Sequence, residues 1–467
     1  MAREPWLGYD LWFPHLQVHQ PRLFAMTQCK RQKLVLSRLG RRRVEADFSG
    51  GRLTSDAGLL LLREVDRKLG LLDAAQEAIP DPRNPAAITH EQRELLAQRV
   101  FALAAGYEDG NDHQALRCDP TLQLAAGREP HEDRPLGSPS TLCRLENRVT
   151  RGSIVRLHEV LVEQFLQSYD TPPEEIVLDL DATDAPTHGN QEGRFFHGYY
   201  GHYCYLPLYV FCGEHLLCAY LRPSNIDAAK HSRAITKLLT RRIRERWPHV
   251  KIMLRGDSGF CRWRLLRWCD KHGVDYVFGL ARNARLEREL NPTMEQAQAA
   301  WAATGQKQRL FSEFCYAAET WDRPRRVIGK AEYSSKGANP RFVVTNLTDA
   351  AASLYDQRYC PRGDMENRIK EQQLMLFVDR TSCSKLLANQ FRLLLSGLAY
   401  TLLDGLRRLG FGQSAEGQWQ SATLRERIIK VAARVWVSAR RIFFQLPTAC
   451  PVEPLFRRLV VALCDSG

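Results

Sequence analysis

Apolar positions recur in two rhythms along this chain, and the change between them divides it. In the first third the spacing is helical. TSDAGLLLLREVDRKLG predicts a helix that Thr54 or Ser55 caps and Gly70 ends, and further helical spacing follows around 90–105 and 138–168. From residue 174 the rhythm becomes that of strands. EEIVLDLDAT (174–183) is an apolar run finishing on acids. YCYLPLYVF (203–211) and EHLLCAYL (214–221) are two more strands, with Cys212–Gly213 as a hairpin turn between them. A helix then carries Ile235, Leu238, Leu239, Ile243 and Trp247 on one face and stops at Pro248. VKIML (250–254) is a short strand, RGDSG a turn in which Gly256 and Gly259 give room for tight bending, and FCRWRLLRWCDKH a helix closed by Gly273. VDYVFGL (274–280) is another strand. The order β, β, β, α, β, α, β predicts an α/β core.

Residues 285–355 interrupt that order with a polar helical stretch and the strand-like pieces LFSEFCYAAETW, RRVIGKAEYS and RFVVTNL. YCPRGDMENRIKEQQLMLF is then helical from about Gly363, and the tail from 385 has amphipathic, basic, helical patterns. At the other end, residues 1–25 show no periodicity, with Met26 as an alternative start. The basic run KRQKLVLSRLGRRR (30–43) suits either DNA phosphates or a solvated flexible arm. The expected organisation is a basic, flexible extension (1–43), a helical DNA-binding region (44–170), the first part of the core (171–284), a β-rich insertion (285–355), the second part of the core with its acidic helix (356–400), and a helical basic region (401–467).

Composition narrows the class. At 467 residues the chain is too long for one compact core. Its net charge of +13 favours a polyanionic partner, because each phosphate neutralised by Lys or Arg releases condensed counterions. Thirteen cysteines, an odd number with no Cys-x-x-Cys, read as reduced thiols rather than a disulfide framework. No stretch reads as a membrane span and no secretory apolar region opens the chain, so a cytosolic compartment and no membrane partner are expected. That compartment excludes an adhesive role for the two Arg-Gly-Asp tripeptides, at 255–257 and 362–364. No Gly-rich nucleotide signature is present, so ATP and NAD are not implied.

The chemistry lies in the acids. Asp181 ends the first core strand, Asp257 follows the fourth, and Glu366 sits on the late helix. Parallel neighbouring strands bring their C-terminal ends to one sheet edge, where ligands of α/β folds bind. Carboxylates gathered there repel one another unless a cation joins them, and hard oxygen donors suit Mg2+ or Mn2+. Two such ions roughly 3.5–4 Å apart would serve phosphoryl transfer without a protein nucleophile. One acid at a strand end is more often a cap; three in the order strand, strand, helix are more specific. Asp179 and Asp184 compete with Asp181 for the first position, and we take Asp181 because Asp179 lies a step back from the edge and Asp184 lies past the strand. On the late helix Met365, Ile369 and Leu376 form a core-facing seam, while Glu366, Lys370 and Gln373 share a neighbouring stripe that can hold a metal and nearby phosphates. Arg362 and Tyr359 can contact a phosphate and stack on a displaced base. His188, His197, His202, Cys204 and Cys212 invite a zinc reading, but their spacing matches no common zinc module. GRFFHGYYGHYCY can stack on bases or supply core rings.

Tyr359-x-x-Arg362-x-x-x-Glu366 resembles the Y-R-E signature of DDE transposases in the broad insertion-sequence-4 group. VLDLDAT resembles that group's first-Asp strand and LRGDSGF its second-Asp turn. AAGYEDGNDHQALRCDP, LGSPSTLCRLENRV and YCPRGDMENRIKEQQ are similar to the insertion-sequence family numbered 1380, from about Val44 onward. The resemblance implies an RNase H-like core, a mixed sheet flanked by helices, split by a β-rich insertion between Asp257 and Glu366. It further implies Asp181, Asp257 and Glu366 as catalytic ligands of two Mg2+ or Mn2+ ions, and Tyr359, Arg362, Lys370 and Gln373 as DNA contacts. It implies cleavage at element ends and joining to target DNA, a homodimer on DNA and a bacterial, nucleoid-associated setting. That pattern expects a lysine seven residues after its Glu; here the position is Gln373, with Lys370 nearer. A metal-dependent nuclease of the same fold and an inactive DNA-binding relative are the rival readings.

Overall fold

A computed structural model describes residues 33–131 and 133–464. The expected N-terminal extension up to residue 32, with the alternative start at Met26 and the first residues of the basic run, lies outside them. The chain divides into two units, residues 1–51 and 52–467. In the first, the run expected as a flexible arm forms an antiparallel hairpin, Leu34–Leu39 against Arg42–Ala46, turning through Gly40 at φ +58°. Val35 and Val44 are β-formers among the arginines, which favours a ribbon over a coil.

The second unit is organised on a nine-stranded sheet. Its main strands are β1 (Glu175–Ala182), β2 (Leu208–Cys212), β3 (His215–Tyr220), β4 (Lys251–Gly256), β5 (Asp275–Leu280), β6 (Gln308–Tyr316), β7 (Arg325–Ser334) and β8 (Arg341–Thr345). They lie in the order β6-β7-β8-β5-β4-β1-β2-β3, and Gly337–Ala338 pairs with β7. Within this, β3-β2-β1-β4-β5 is the RNase H-like order: β2 is antiparallel to β1 and β3, and β4 is parallel to β1 and β5. The strands read as an insertion, β6, β7 and β8, extend the same sheet from the free edge of β5, β8 running antiparallel to it.

Helices cover both faces. The described chain has α1 (Leu59–Leu69), α2 (Gln92–Ala105), α3 (Pro139–Arg148), α4 (Arg151–Gln167), α5 (Ser232–Arg246), α6 (Trp263–His272), α7 (Ala284–Thr304), α8 (Gly363–Lys370), α9 (Leu386–Gly405) and α10 (Glu453–Cys464). Alternation along β2 sets the layers. Leu208, Val210 and Cys212 face α5, α6 and α7, while Tyr209 and Phe211 face α9 and the helices of the first third. Helix α4 serves both layers, giving Ile154, Leu157 and Leu161 to one and Val162, Phe165 and Leu166 to the other. The crossovers β3–α5–β4 and β4–α6–β5 make the central strands parallel.

Four local expectations are corrected. Helix α1 starts after Gly58 with no side-chain cap, and Thr54 instead accepts the Asp56 N–H; Gly70 ends the helix in the left-handed region as expected. The strand expected over 203–211 breaks at Leu206–Pro207, where proline has no N–H for a central ladder. Its first half, His202–Tyr205, pairs with Ala185–Pro186 and Phe195–His197 in a small separate sheet. The tail is not wholly helical: Ala433–Ser438 and Arg441–Gln445 form a hairpin, since Ala433, Val435 and Val437 alternate with exposed Arg434, Trp436 and Ser438. Finally, one helix among the described residues, Leu386–Phe411, is long and apolar enough to cross a membrane, but 78% of its most apolar window is buried in the protein.

Candidate active site

Strand β1 buries Ile176, Leu178 and Leu180 on one face and turns Val177, Asp179 and Asp181 to the other. Strand β4 does the same with Ile252 and Leu254 against Met253 and Arg255. The register sets Arg255 beside Asp179 and Gly256 beside Leu180, so one step further Asp257 follows β4 next to Asp181. Gly256 has no positive φ; it is glycine because a Cβ there would stand 3.1 Å from the Phe278 ring and 3.2 Å from the Leu180 carbonyl oxygen. The Asp257 carboxylate accepts the Gly259 N–H at 2.8 Å, capping the short turn Ser258–Phe260.

The three aspartates of the first strand have different surroundings. Asp179 is buried and gripped by Arg255, whose Nε and Nη2 donate to its two oxygens at 2.5 and 2.7 Å. Asp184 Oδ2 lies 2.8 Å from His202 Nε2. Among the described residues Asp181 accepts only the N–H of its neighbour Ala182, at 2.8 Å. Burial and the charge of Asp257 push its carboxyl up to about 6, with Glu366 adding to the repulsion.

The third acid comes on a continuous helical stretch of changing pitch. Leu354–Tyr359 is π-helical, Cys360–Arg362 is a 3-10 turn, α8 follows, and Glu371–Met375 is π-helical again. Met365, Ile369 and Leu376 are buried as their seam predicts, and Glu366 is 48% exposed in its side chain. Side chains lock this stretch to the sheet. Arg255 donates to the Arg358 carbonyl at 2.8 Å, Arg358 pairs with Glu175, and Gln373 Nε2 donates to the Asp184 carbonyl at 2.7 Å and to Thr183 Oγ1 at 3.3 Å. Arg362 pairs with Glu366 at 3.3 Å. Burial works against its charge, yet Tyr359, Asp181, Glu366 and Asp257 raise the Arg362 pKa above its ordinary value. Five of the expected residues, Asp181, Asp257, Tyr359, Arg362 and Glu366, thus act on one another electrostatically. Lys370 is exposed without an acidic partner among the described residues, and Gln373 is spent on the end of β1.

A family model described as Transposase DDE domain group 1 matches residues 36–466. The chain belongs to that family. Its fold is also similar to a solved piggyBac transposase synaptic complex with hairpin DNA, at 10% identity and a TM-score of 0.40, over 80% of this chain and 79% of that one. No curated protein matches it.

In this DDE transposase no three His, Cys, Asp or Glu side chains among the described residues are grouped closely enough to hold a metal ion. The zinc reading loses its ligands individually: His202 is bonded to Asp184, and Cys204 and Cys212 are buried. The acids nonetheless suit a hard divalent cation, since all three supply oxygen, and burial together with the Asp257 charge disfavours an ionised Asp181 that a cation would favour.

Three residues of the transposase site escaped the sequence reading. Arg255 neutralises Asp179; its place two residues before Asp257, matching Asp179 before Asp181, was the available signal. His202 occupies Asp184, and no local pattern announces that contact. Gly279 on β5 is where the site's parts touch, for a Cβ there would lie 2.7 Å from the Tyr359 hydroxyl and 2.9 Å from the Ser258 nitrogen. Gly279→Ala is therefore expected to cost about 1–3 kcal/mol by overpacking and to lower DNA cleavage by moving Asp257 and Tyr359. Thermal unfolding and cleavage rates measured together check this, and wild-type values in both would contradict it.

Proposed function

We propose that this transposase cleaves DNA at the ends of a mobile element and joins the free 3′ ends to target DNA, with Asp181, Asp257 and Glu366 as the ligands of two Mg2+ or Mn2+ ions. Bound there, the ions would activate the attacking oxygen and stabilise the leaving oxygen of a phosphoryl transfer. The chain's own residues orient the strand. Arg362, whose charge Tyr359 and the surrounding acids favour, binds a phosphate beside them. Tyr359 and the Asp257 turn both close on Gly279 and Lys370 reaches a neighbouring phosphate, while Gln373 holds the end of β1 in place. We place the chain with insertion sequences of the family numbered 1380, acting as a homodimer on two DNA ends at the bacterial nucleoid.

One observation carries this reading. Of the three candidate aspartates, Asp181 alone has no side-chain partner among the described residues, and it is the one repelled by Asp257 and Glu366. The test is to incubate the protein with Mg2+ and DNA spanning both flanks of its gene, then sequence the products. Cuts at two bracketing inverted repeats together with joined products are expected. Cuts without joining would favour the nuclease of the same fold, and neither product would favour the inactive relative.

A further inference from the structure

The hairpin that follows the first acid keeps four of its aromatic rings in solvent. Phe195–His197 pairs with His202–Tyr205, which pairs in turn with Ala185–Pro186, three residues beyond the end of β1. Phe195 is 41%, Phe196 58%, Tyr203 47% and Tyr199 88% exposed, so these rings are not core. Their ring contacts fall in two groups. Phe196 and Tyr203 meet across the strands at 5.6 Å between centroids, Tyr199 meets Tyr200 at 5.0 Å, and His197 meets Tyr200 at 4.8 Å. The Arg194 guanidinium lies 4.5 Å over the Tyr203 ring.

The position of this surface says what it meets. His202, on its second strand, is bonded to Asp184, so the hairpin is tied to the segment that carries Asp181. Ser224 Oγ donates to the Phe195 carbonyl at 2.9 Å, which brings alongside it the loop leading to exposed Lys230 and Arg233. A site that cuts a phosphodiester must admit a nucleic-acid strand, and that strand would pass this aromatic and basic surface as it enters or leaves. Paired bases hide their faces; unpaired bases offer them to aromatic rings.

We infer that the hairpin Phe195–Tyr205 is a stacking surface for the unpaired nucleobases that flank the cut phosphate, with Phe196 and Tyr199 as its principal rings. The inference rests on the function proposed above for the acid site. Its substrate class is a single-stranded or locally opened DNA segment, recognised by base faces and backbone charge rather than by sequence.

The experiment compares wild type, Phe196→Ala/Tyr199→Ala and Phe196→Trp/Tyr199→Trp without divalent cations. The probes are a fluorescein-labelled oligodeoxythymidine and a blunt duplex of equal length, read by anisotropy. Both replaced rings are exposed, and matching thermal unfolding confirms the fold. The alanine pair is expected to weaken single-strand binding by about tenfold or more, to leave duplex binding nearly unchanged, and to be rescued by the tryptophan pair. Equal losses on both probes, or unchanged single-strand binding, would overturn the inference. So would a change from dimer to monomer in sedimentation with single-strand binding intact, which would give the surface to a second copy of the chain. Cleavage by the wild type is scored separately. A wild type that stacks single strands yet cuts nothing refutes the proposed function and leaves the stacking surface standing.

Discussion

Asp181→Asn is expected to lower DNA cleavage by about a thousandfold or more, the equivalent of about 4 kcal/mol of lost transition-state stabilisation, while making the metal-free protein more stable at neutral pH. The first effect is the loss of a metal ligand, and the second comes from the carboxyl's charge. Burial and Asp257 raise this carboxyl from 3.8 to about 6, so ionising it costs more in the folded chain than in the unfolded one. The penalty is absent below the unfolded value, grows as pH climbs between the two, and is complete above about 6. A gap of that size corresponds to at most about 3 kcal/mol, and solvent screening of a half-buried group reduces it to roughly 1–2 kcal/mol. Thermal unfolding in a chelator should show the asparagine variant gaining stability at pH 7 and above, with the gain gone near pH 4.

Its neighbours on the same strand are expected to behave differently. Asp179→Asn leaves Arg255 buried without its partner, and breaking such a pair costs about 3–5 kcal/mol, so that variant loses activity through the fold. Asp184→Asn disturbs only a partly exposed contact with His202, worth up to about 1 kcal/mol, and keeps cleavage. A dead Asp184→Asn beside an active Asp181→Asn would show that the first ligand is misassigned.

Glu371→Ala is the largest stability change we expect away from the aspartates of β1. Glu371 is fully buried at the foot of the acidic helix, and its Oε2 takes Arg407 Nη2 at 2.5 Å, the Ser421 N–H at 2.9 Å and the Ser421 hydroxyl at 2.5 Å. Arg368 reaches its other oxygen at 3.3 Å and also pairs with Glu214, the residue before β3. This network ties the stretch bearing Glu366 to the end of α9. Truncation strands Arg407, itself 3% exposed in its side chain, and is expected to cost about 3–5 kcal/mol. Burial opposes the Glu371 charge, but Arg407 and Ser421 hold its carboxyl below the ordinary 4.5. Its stabilisation is therefore present above that value and lost as pH falls through the lower folded one. The variant should unfold at a lower temperature than wild type at neutral pH, with the difference shrinking in acid. Equal midpoints at neutral pH would contradict the role given to this network.

What the sequence disclosed follows from the range of the forces involved. Periodicity found β1 to β5 and α4 to α6, because burial on one face leaves a mark every two or every three to four residues. The seam of Met365, Ile369 and Leu376 was legible for the same reason. The tail hairpin was missed because its arginines suggested an amphipathic helix, while Val435 and Val437 kept a period of two. The joining of β8 to β5 was hidden because pairing between strands so distant in sequence leaves no local signal. In the site, residue type and order pointed to the acids, whereas the contacts that separate Asp181 from its neighbours, Arg255 on Asp179 and His202 on Asp184, exist only once the strands are paired. The exposure of Phe196 and Tyr199 could not be read from GRFFHGYYGHYCY, since the same rings in a wider sheet would be core.

The central claim is that Asp181, Asp257 and Glu366 form one metal-dependent site for DNA cleavage and joining. Its most direct measurement is product formation with Mg2+ by wild type and by Asp257→Asn on the same flanking DNA, with binding of that DNA followed in parallel. The account predicts equal binding, cleaved and joined products from the wild type, and neither product from the variant. Cleavage by Asp257→Asn at the wild-type rate would contradict it.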